Sequence, residues 1–171
     1  MVVHKRRAEY DAILVGRKTA LLDNPSLTTR NWFGNDPIRL VIDKDLTLPQ
    51  QLHLFNGKVR TLVFTRQNKT SHHPLIEYVH LDFTQNILPQ IMDVLYNLKV
   101  QSLLVEGGTL LLQSFINAGL WDEAYIETSP IHLNEGVKAP IIKGKHSLLT
   151  NDNFGRIIRY ARNEALESEK I

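Results

Sequence analysis

The stretch Ser102-Leu103-Leu104-Val105-Glu106-Gly107-Gly108-Thr109-Leu110-Leu111-Leu112-Gln113-Ser114-Phe115-Ile116-Asn117-Ala118-Gly119 decides the fold. Leu103, Leu104 and Val105 make a short apolar run that suits a strand buried on both faces, and two glycines end it. Beyond them, Leu111, Leu112, Phe115 and Ile116 fall on one helical face. Thr109 is placed to cap the free amides of the first turn, and Gly119 sits where a helix commonly stops. The stretch reads as a strand, a tight glycine turn and a helix.

That arrangement has a chemistry. Paired glycines let a ligand approach the backbone without meeting a Cβ, while the helix start offers unpaired N–H groups and the positive end of the helix dipole. A phosphate or pyrophosphate suits both. Glu106 falls at the carboxyl end of the strand, the edge where open α/β sheets bind their ligands, and its carboxylate can accept from N–H or O–H groups of a substrate. Paired glycines also make ordinary strand-to-helix turns, so packing alone explains this stretch equally well by itself.

The pattern occurs a second time upstream. Ala12 to Val15 is apolar and runs into Gly16-Arg17-Lys18-Thr19, followed by a helical turn through Ala20, Leu21 and Leu22. The turn ends near Asp23-Asn24-Pro25, because the residue before a proline is pushed out of the helical region. Two such turns on one sheet edge can hold the phosphates of a dinucleotide from two sides. Arg17 or Lys18 can select a 2′-phosphate by charge. After Pro25, Ser26-Leu27-Thr28-Thr29-Arg30 ends in a fork-shaped cation suited to a bidentate phosphate contact, with Thr28 and Thr29 as hydroxyl donors; the plain alternative is an exposed loop. Asp23 reads either as a site carboxylate or as a turn residue bonding the backbone that follows. Residues Val2 to Tyr10 fit a short amphipathic helix with Val3, Ala8 and Tyr10 turned inward, and Arg6 and Arg7 are most simply solvated charges on it.

Further strands are expected at Ile38 to Ile42, Thr61 to Thr65 and Glu77 to Leu81, and a helix from Gln85 to Lys99 on the spacing of Ile91, Val94, Leu95 and Leu98. Glu123 to Thr128 alternates as a strand with one wetter face, and a last strand runs through Phe154, Arg156, Ile158 and Tyr160. The span between Ile131 and Asn153 holds Gly136, Pro140 and Gly144 and reads as a long irregular connection. The tail from Glu164 to Ile171 is charged and expected to fray. Strands alternating with helices give a three-layer α/β/α sandwich, and the two late strands add an antiparallel pair at one edge, so the sheet is expected to be mixed and mainly parallel.

At 171 residues, one domain is the expectation. Lys and Arg number 20 against 18 Asp and Glu, which gives no electrostatic case for nucleic acid or an anionic membrane as partner. The absence of cysteine excludes disulfides, a thiolate nucleophile and a cysteine zinc site, and is compatible with a cytoplasmic location. His72 and His73 are adjacent but lack carboxylate or cysteine support for a metal. No apolar run approaches the length of a membrane span. The GxGxxG, P-loop, HExxH and GxSxG patterns are all missing, which removes the commonest nucleotide, kinase and hydrolase readings.

Four motifs in order carry a resemblance: Ala12 to Arg30, Pro37 to Asp43, Leu104 to Leu111, and Leu120-Trp121-Asp122-Glu123. Together they resemble the reductase domain of the bifunctional riboflavin-biosynthesis deaminase/reductase, from about Val2 to Tyr160. The resemblance implies a dihydrofolate-reductase-like fold, a homodimer, and NADPH-dependent reduction of the ribosyl group of 5-amino-6-(5-phosphoribosylamino)uracil to the ribityl group. By the same resemblance, Thr19, Asp23, Lys44 and the run Gly108, Thr109, Leu110, Leu111, Leu112, Gln113 and Ser114 contact the cofactor. Arg7, Leu27, Arg30 and Glu106 face the substrate. Glu106 and Asp23 are the candidate catalytic groups, with Glu106 or water delivering the proton that accompanies hydride transfer.

The chain departs from the family in two ways. The deaminase half with its zinc motifs is absent. The family's reductase domain also opens with a strand carrying a Lys-x-Ala-x-Ser-x-Asp-Gly pattern, which would precede Met1. Because that strand is internal in such a sheet, its loss predicts a gap among the parallel strands, lower stability and possible loss of activity. A nucleotide-binding fragment without turnover and a related pyrimidine or folate reductase are the competing readings.

Overall fold

The computed structural model describes residues 2–131, 135–152 and 155–162. The chain divides into two compact units, residues 1–111 and 112–171.

The first unit is built on helix α1 (Val2–Glu9), strand β1 (Ala12–Gly16), helix α2 (Arg17–Asp23), β2 (Ile38–Ile42), β3 (Thr61–Thr65), β4 (Ile76–His80), α3 (Ile87–Asn97) and β5 (Leu103–Gly107). Its five strands are all parallel, in the order β4-β3-β2-β1-β5. Unbroken apolar runs put β1 and β3 in the middle of the core. Ala12, Ile13, Leu14 and Val15 are fully buried, as are Leu62, Val63 and Phe64. Helix α3 forms where expected, two residues shorter at each end. Asn86 caps it by accepting from the Leu88 amide, Pro89 is tolerated in the first turn, and Leu88, Ile91 and Leu95 form the buried stripe. A short 3-10 turn at His53–Phe55, which periodicity cannot reveal, buries Leu54 and Phe55 against the same core.

Two expectations fail in this unit. Val3 does not turn inward but is 44% exposed, and Arg7 is not a solvated charge but a buried one. Within this sheet β1 bonds directly to both β2 and β5, and among the described residues β5 is its terminal strand.

The pairing of β1 with β5 slips by one residue. Leu14 faces Val105 and Val15 faces Gly107, so Glu106 is the extra residue of a β-bulge. Bulges twist a strand locally and re-aim a side chain, and this one sits at the carboxyl end of the sheet.

Helix α4 (Thr109–Ala118) leads into the second unit, which holds β6 (Glu123–Thr128), β7 (Lys145–Asp152) and β8 (Gly155–Ala161). Gly119, at φ +66, ends α4 as expected, with its amide and that of Leu120 bonded back to Ile116 and Phe115. The three strands form an antiparallel sheet in the order β6-β8-β7. The α/β class with mainly parallel pairing holds for the chain, but parallel and antiparallel pairs are segregated into two sheets.

The expectation of an irregular span up to Asn153 is corrected, because β7 occupies its last part and pairs with β8 along its length. Strand β7 escapes sequence reading because its sequence, Lys145-His146-Ser147-Leu148-Leu149-Thr150-Asn151-Asp152, does not alternate; its register breaks between Leu148 and Thr150. Phe154, assigned to the last strand, and the charged tail from Glu164 lie outside the described residues. No helix among the described residues is long and apolar enough to cross a membrane.

Candidate active site

The sheet's carboxyl edge brings together α1, the ends of β1, β2 and β5, and the loop after α2. Its centre is Glu106. From the bulge, the carboxylate meets Arg7 of α1: the Arg7 Nε donates to Oε1 at 2.9 Å and Nη2 donates to Oε2 at 2.6 Å. This is a two-point fork, with side-chain exposures of 10% for Arg7 and 21% for Glu106. The third arm of the guanidinium, Nη1, points at the Thr28 carbonyl at 3.4 Å, and the His4 Nδ1–H donates to the same oxygen at 2.9 Å. Helix α1 thus ties the strand carrying Glu106 to the loop carrying Arg30. Sequence reading gave His4 no role; nothing in a lone histidine on a charged helix signals a partner 24 residues away.

The two glycine turns meet through Thr19. Gly107 is buried and Gly108 adopts φ +76, a conformation that favours glycine. A Cβ at Gly108 would have Thr19 Oγ1 3.3 Å away as its one close neighbour, so the turn is open except on the Thr19 side. Helix α4 starts at Thr109, so Thr109 is the first helical residue rather than the residue before it.

At the end of α2, Asp23 is exposed and makes no hydrogen bond or ion pair among the described residues. Its neighbour Asn24, in the left-handed region at φ 40, accepts from the His53 amide and offers its carbonyl to the His53 ring, 29 residues away. Leu27 is 1% exposed and also left-handed at φ 50, so it anchors the loop in the core rather than presenting its side chain to solvent. Thr29 is buried, and both its amide and its hydroxyl donate to Asp36. Arg30, by contrast, is exposed and makes no hydrogen bond or ion pair among the described residues.

Cations line the neighbouring strand ends. Arg17 donates from Nε to Thr47 Oγ1 at 2.6 Å and lies 3.8 Å from Asp43, while Lys18 is exposed. Asp43, 1% exposed, accepts from the amides of Thr47 and Leu48 and so shapes the loop that carries Lys44. Its position directly after the β2 run was the available signal, and it was not singled out. Lys44 is exposed, with its ammonium 5.7 Å from the Phe83 ring centre.

Along α4, Leu110 is 87% exposed and Leu111 lies near Gly16, whereas Leu112 and Ser114 are half-buried. Gln113 does not direct its amide to the glycine turn. Within the second unit it accepts from the Ile141 amide at 2.8 Å, donates to the Ile141 carbonyl at 3.2 Å, and donates to Asn117 at 2.9 Å.

Residues 1–155 match the family described as the RibD C-terminal domain. The chain is 30% identical to the riboflavin biosynthesis protein RibD of Bacillus amyloliquefaciens, over 81% of this chain and 40% of that protein. It is also 30% identical to the 2,5-diamino-6-ribosylamino-4(3H)-pyrimidinone 5′-phosphate reductase of Archaeoglobus fulgidus, over 92% of this chain and 78% of that protein. Among solved structures, the diaminohydroxyphosphoribosylaminopyrimidine deaminase/5-amino-6-(5-phosphoribosylamino)uracil reductase of Thermotoga maritima superposes with a TM-score of 0.79 at 25% identity, over 94% of this chain and 47% of that one. The chain therefore spans less than half the length of the Bacillus and Thermotoga proteins and most of the Archaeoglobus protein.

Proposed function

The chain belongs to the RibD C-terminal domain family, of dihydrofolate-reductase-like fold, and from that premise we propose that it catalyses NADPH-dependent reduction of the ribosyl group of 5-amino-6-(5-phosphoribosylamino)uracil to the ribityl group. The observation that carries the reading is the placement of Glu106. It is a carboxylate on a bulge at the carboxyl end of β5, followed at once by the Gly107-Gly108 turn and the start of α4.

Each part has work to do in such a reaction. Glu106 accepts from N–H groups of the pyrimidine. Arg30, exposed and uncommitted, takes the sugar phosphate. The start of α4, opened by Gly108, suits the cofactor pyrophosphate, and Thr19 packs beside it. Arg17, Lys18 and Lys44 stand just beyond the ends of β1 and β2, where the cations favour a 2′-phosphate and thus NADPH over NADH, and Asp23 at the end of α2 completes the cofactor side. Reduced nicotinamide supplies the hydride to the open-chain ribosyl carbon, and a proton balances the charge. The protein's share is to hold donor and acceptor carbons at near-attack distance.

A second substrate is favoured by one comparison. The Archaeoglobus protein, of which this chain spans 78%, is named for the 2-amino pyrimidinone in place of the uracil. The two share the ribosyl phosphate and N–H donors that Arg30 and Glu106 would meet. We further take both units as one reductase domain, because the family match covers residues 1–155 and so enters each. A cytoplasmic homodimer completes the reading, supported by exposed apolar side chains at Ile131, Val137 and Ile141 that a partner would cover.

The deciding experiment is a titration of the chain with NADPH, read by nicotinamide fluorescence, alongside turnover assays on both pyrimidine phosphates. Saturable binding with turnover of either one supports the reductase. Binding without turnover would favour a nucleotide-binding fragment, and absence of binding would remove the function.

A further inference from the structure

Arg39, the second residue of β2, is fully buried and lies away from the carboxyl edge of the sheet. Its Nη1 donates to the His53 carbonyl at 2.8 Å, and Nη2 donates to Asn56 Oδ1 at 3.1 Å and to the Val59 carbonyl at 3.3 Å. All three acceptors are neutral, and the buried Nε has no partner among the described residues. A guanidinium taken out of water without a carboxylate in contact is costly. Burial pushes Arg39 below its ordinary pKa, and Asp36, which makes no ion pair with it among the described residues, offsets this only in part. The site lacks one negative charge.

The residue at the mouth of this site can supply it. Asn56 is exposed, closes the 3-10 turn at His53–Phe55, and is followed by Gly57 in the one Asn-Gly pair of the sequence. Gly57 has no side chain to shield its nitrogen, and its N–H makes no hydrogen bond among the described residues. Asn56 Oδ1 accepts from two donors, Arg39 Nη2 and the Lys58 amide, each at 3.1 Å. A nucleophile one residue away in the chain thus faces a carbonyl whose oxygen is already held by a cation and a backbone N–H. Adjacency favours attack at Cγ, and the two donors stabilise the oxyanion that forms there.

We propose that Asn56 is a self-modification site, whose side-chain amide Gly57 converts to a carboxylate that becomes the counter-ion of Arg39. The Gly57 nitrogen gives its proton to solvent and bonds to Asn56 Cγ. The Cγ–Nδ2 bond breaks, and ammonia leaves with a proton from solvent. Water then adds to the ring imide, the new C–N bond breaks, and the Gly57 nitrogen takes a proton back. One water is consumed and one ammonia released, with no change of oxidation state. Water can open such an imide at either carbonyl. Here the donors on Oδ1 polarise Cγ, so opening at Cγ is favoured and the normal aspartyl chain is the product, with its carboxylate against Arg39. The formal net charge of +2 falls by one.

The test is incubation of the folded chain at mildly alkaline pH, followed by isoelectric focusing and by peptide mapping that separates aspartyl from isoaspartyl products. The unmodified chain and R39M are compared, each folded and each unfolded in urea. The folded chain should convert at position 56, mainly to the aspartyl form. R39M should slow that conversion by at least about tenfold, as loss of an oxyanion donor requires, whereas the two urea-unfolded chains should convert alike. N56D, which carries the product from the start, should raise the folding equilibrium constant in denaturant melts by about tenfold, the gain of a charged hydrogen bond over a neutral one. In the R39M background the same substitution should leave it within about twofold. Should R39M fail to fold, R39K takes its place: a lysine keeps the charge but cannot fork between His53 and Asn56, so both effects should shrink in it.

Asn56 that persists in the folded chain while the unfolded chain converts would overturn the assignment. So would an isoaspartyl main product in the folded chain, conversion no slower in R39M or R39K, or a gain from N56D that survives undiminished without Arg39. Every readout is independent of turnover, so failure of the reductase reading leaves the result intact.

Discussion

Thr19 occupies the space into which a side chain on Gly107 would project: a Cβ built there would lie 2.7 Å from Thr19 Cγ2 and 2.9 Å from its Oγ1. Neither atom can retreat freely, because Thr19 is on α2, next to the fully buried Ala20. G107A should destabilise the chain by about 1–3 kcal/mol through overpacking. The double variant G107A/T19A, in which both close atoms are gone, should recover part of that loss. Denaturant melts of the four members of this cycle measure it, and strictly additive losses would show that Thr19 is not the obstacle.

Lys99 ends α3 in the left-handed region, at φ 61, with its amide bonded to the Tyr96 carbonyl. A side chain pays for that conformation and glycine does not, whereas the ammonium 5.3 Å from the Tyr96 ring is a weak exposed contact. K99G should therefore raise stability by about 0.5–1 kcal/mol. A lower denaturation midpoint in K99G would mean that the ring contact outweighs the strain.

Gln113 clamps the Ile141 backbone, and its amide can do so only because one end accepts and the other donates. Q113E keeps the acceptor for the Ile141 amide but sets a carboxylate oxygen against the Ile141 carbonyl. The cost should be about 1 kcal/mol, with faster hydrogen exchange around Ile141. NADPH affinity should stay within about twofold, since the side chain is committed elsewhere. A large drop in affinity would support Gln113 as a cofactor-binding residue.

In the second unit, Arg159 donates to Glu123 at 2.6 Å and so does the Tyr125 hydroxyl. Those bonds, chiefly the one from Arg159, hold the Glu123 carboxyl below its ordinary value of 4.5 against a smaller opposing effect of burial. A depressed carboxyl contributes stability that is present above the unfolded value and is lost as pH falls through the folded one. The pair is partly exposed, so the contribution is at most about 1 kcal/mol. The stability difference between the unmodified chain and E123Q should be greatest near neutral pH and shrink as pH falls below 4.5. A difference that does not change with pH would remove the pair as its source.

What could be read from sequence was whatever local pattern determines. The unbroken apolar run at Ala12 to Val15 announces a buried parallel strand, whereas the run at Leu103 to Val105, expected to be buried on both faces, is only half-buried because β5 is the terminal strand of its sheet among the described residues; the glycine that follows each run announces the turn. Arg7 was misread because a charged residue on a polar helix is solvated unless a partner distant in sequence neutralises it, and that partner is 99 residues away. Asp23 reads from sequence either as a site carboxylate or as a turn residue; it makes no turn bond among the described residues, and the neighbouring Asn24 bonds the His53 amide 29 residues away, a partner that no local pattern reveals. Strand β7 was invisible for a related reason: a strand with a register break loses the alternation that would reveal it. The slip between β1 and β5 leaves no local trace at all, since it exists only as a relation between two distant segments.

That slip has a consequence for how this site can change. Side chains alternate along a strand with period two, so one surplus residue reverses the parity of everything that follows it. Substitution at Glu106 can alter only which group stands there. Removing a single residue from β5 would close the bulge, restore uninterrupted pairing with β1, and turn the next side chain to the opposite face. The direction of the carboxylate is thus encoded in the length of β5, and the mutation able to move it to the other side of the sheet is a deletion of one codon rather than the exchange of one.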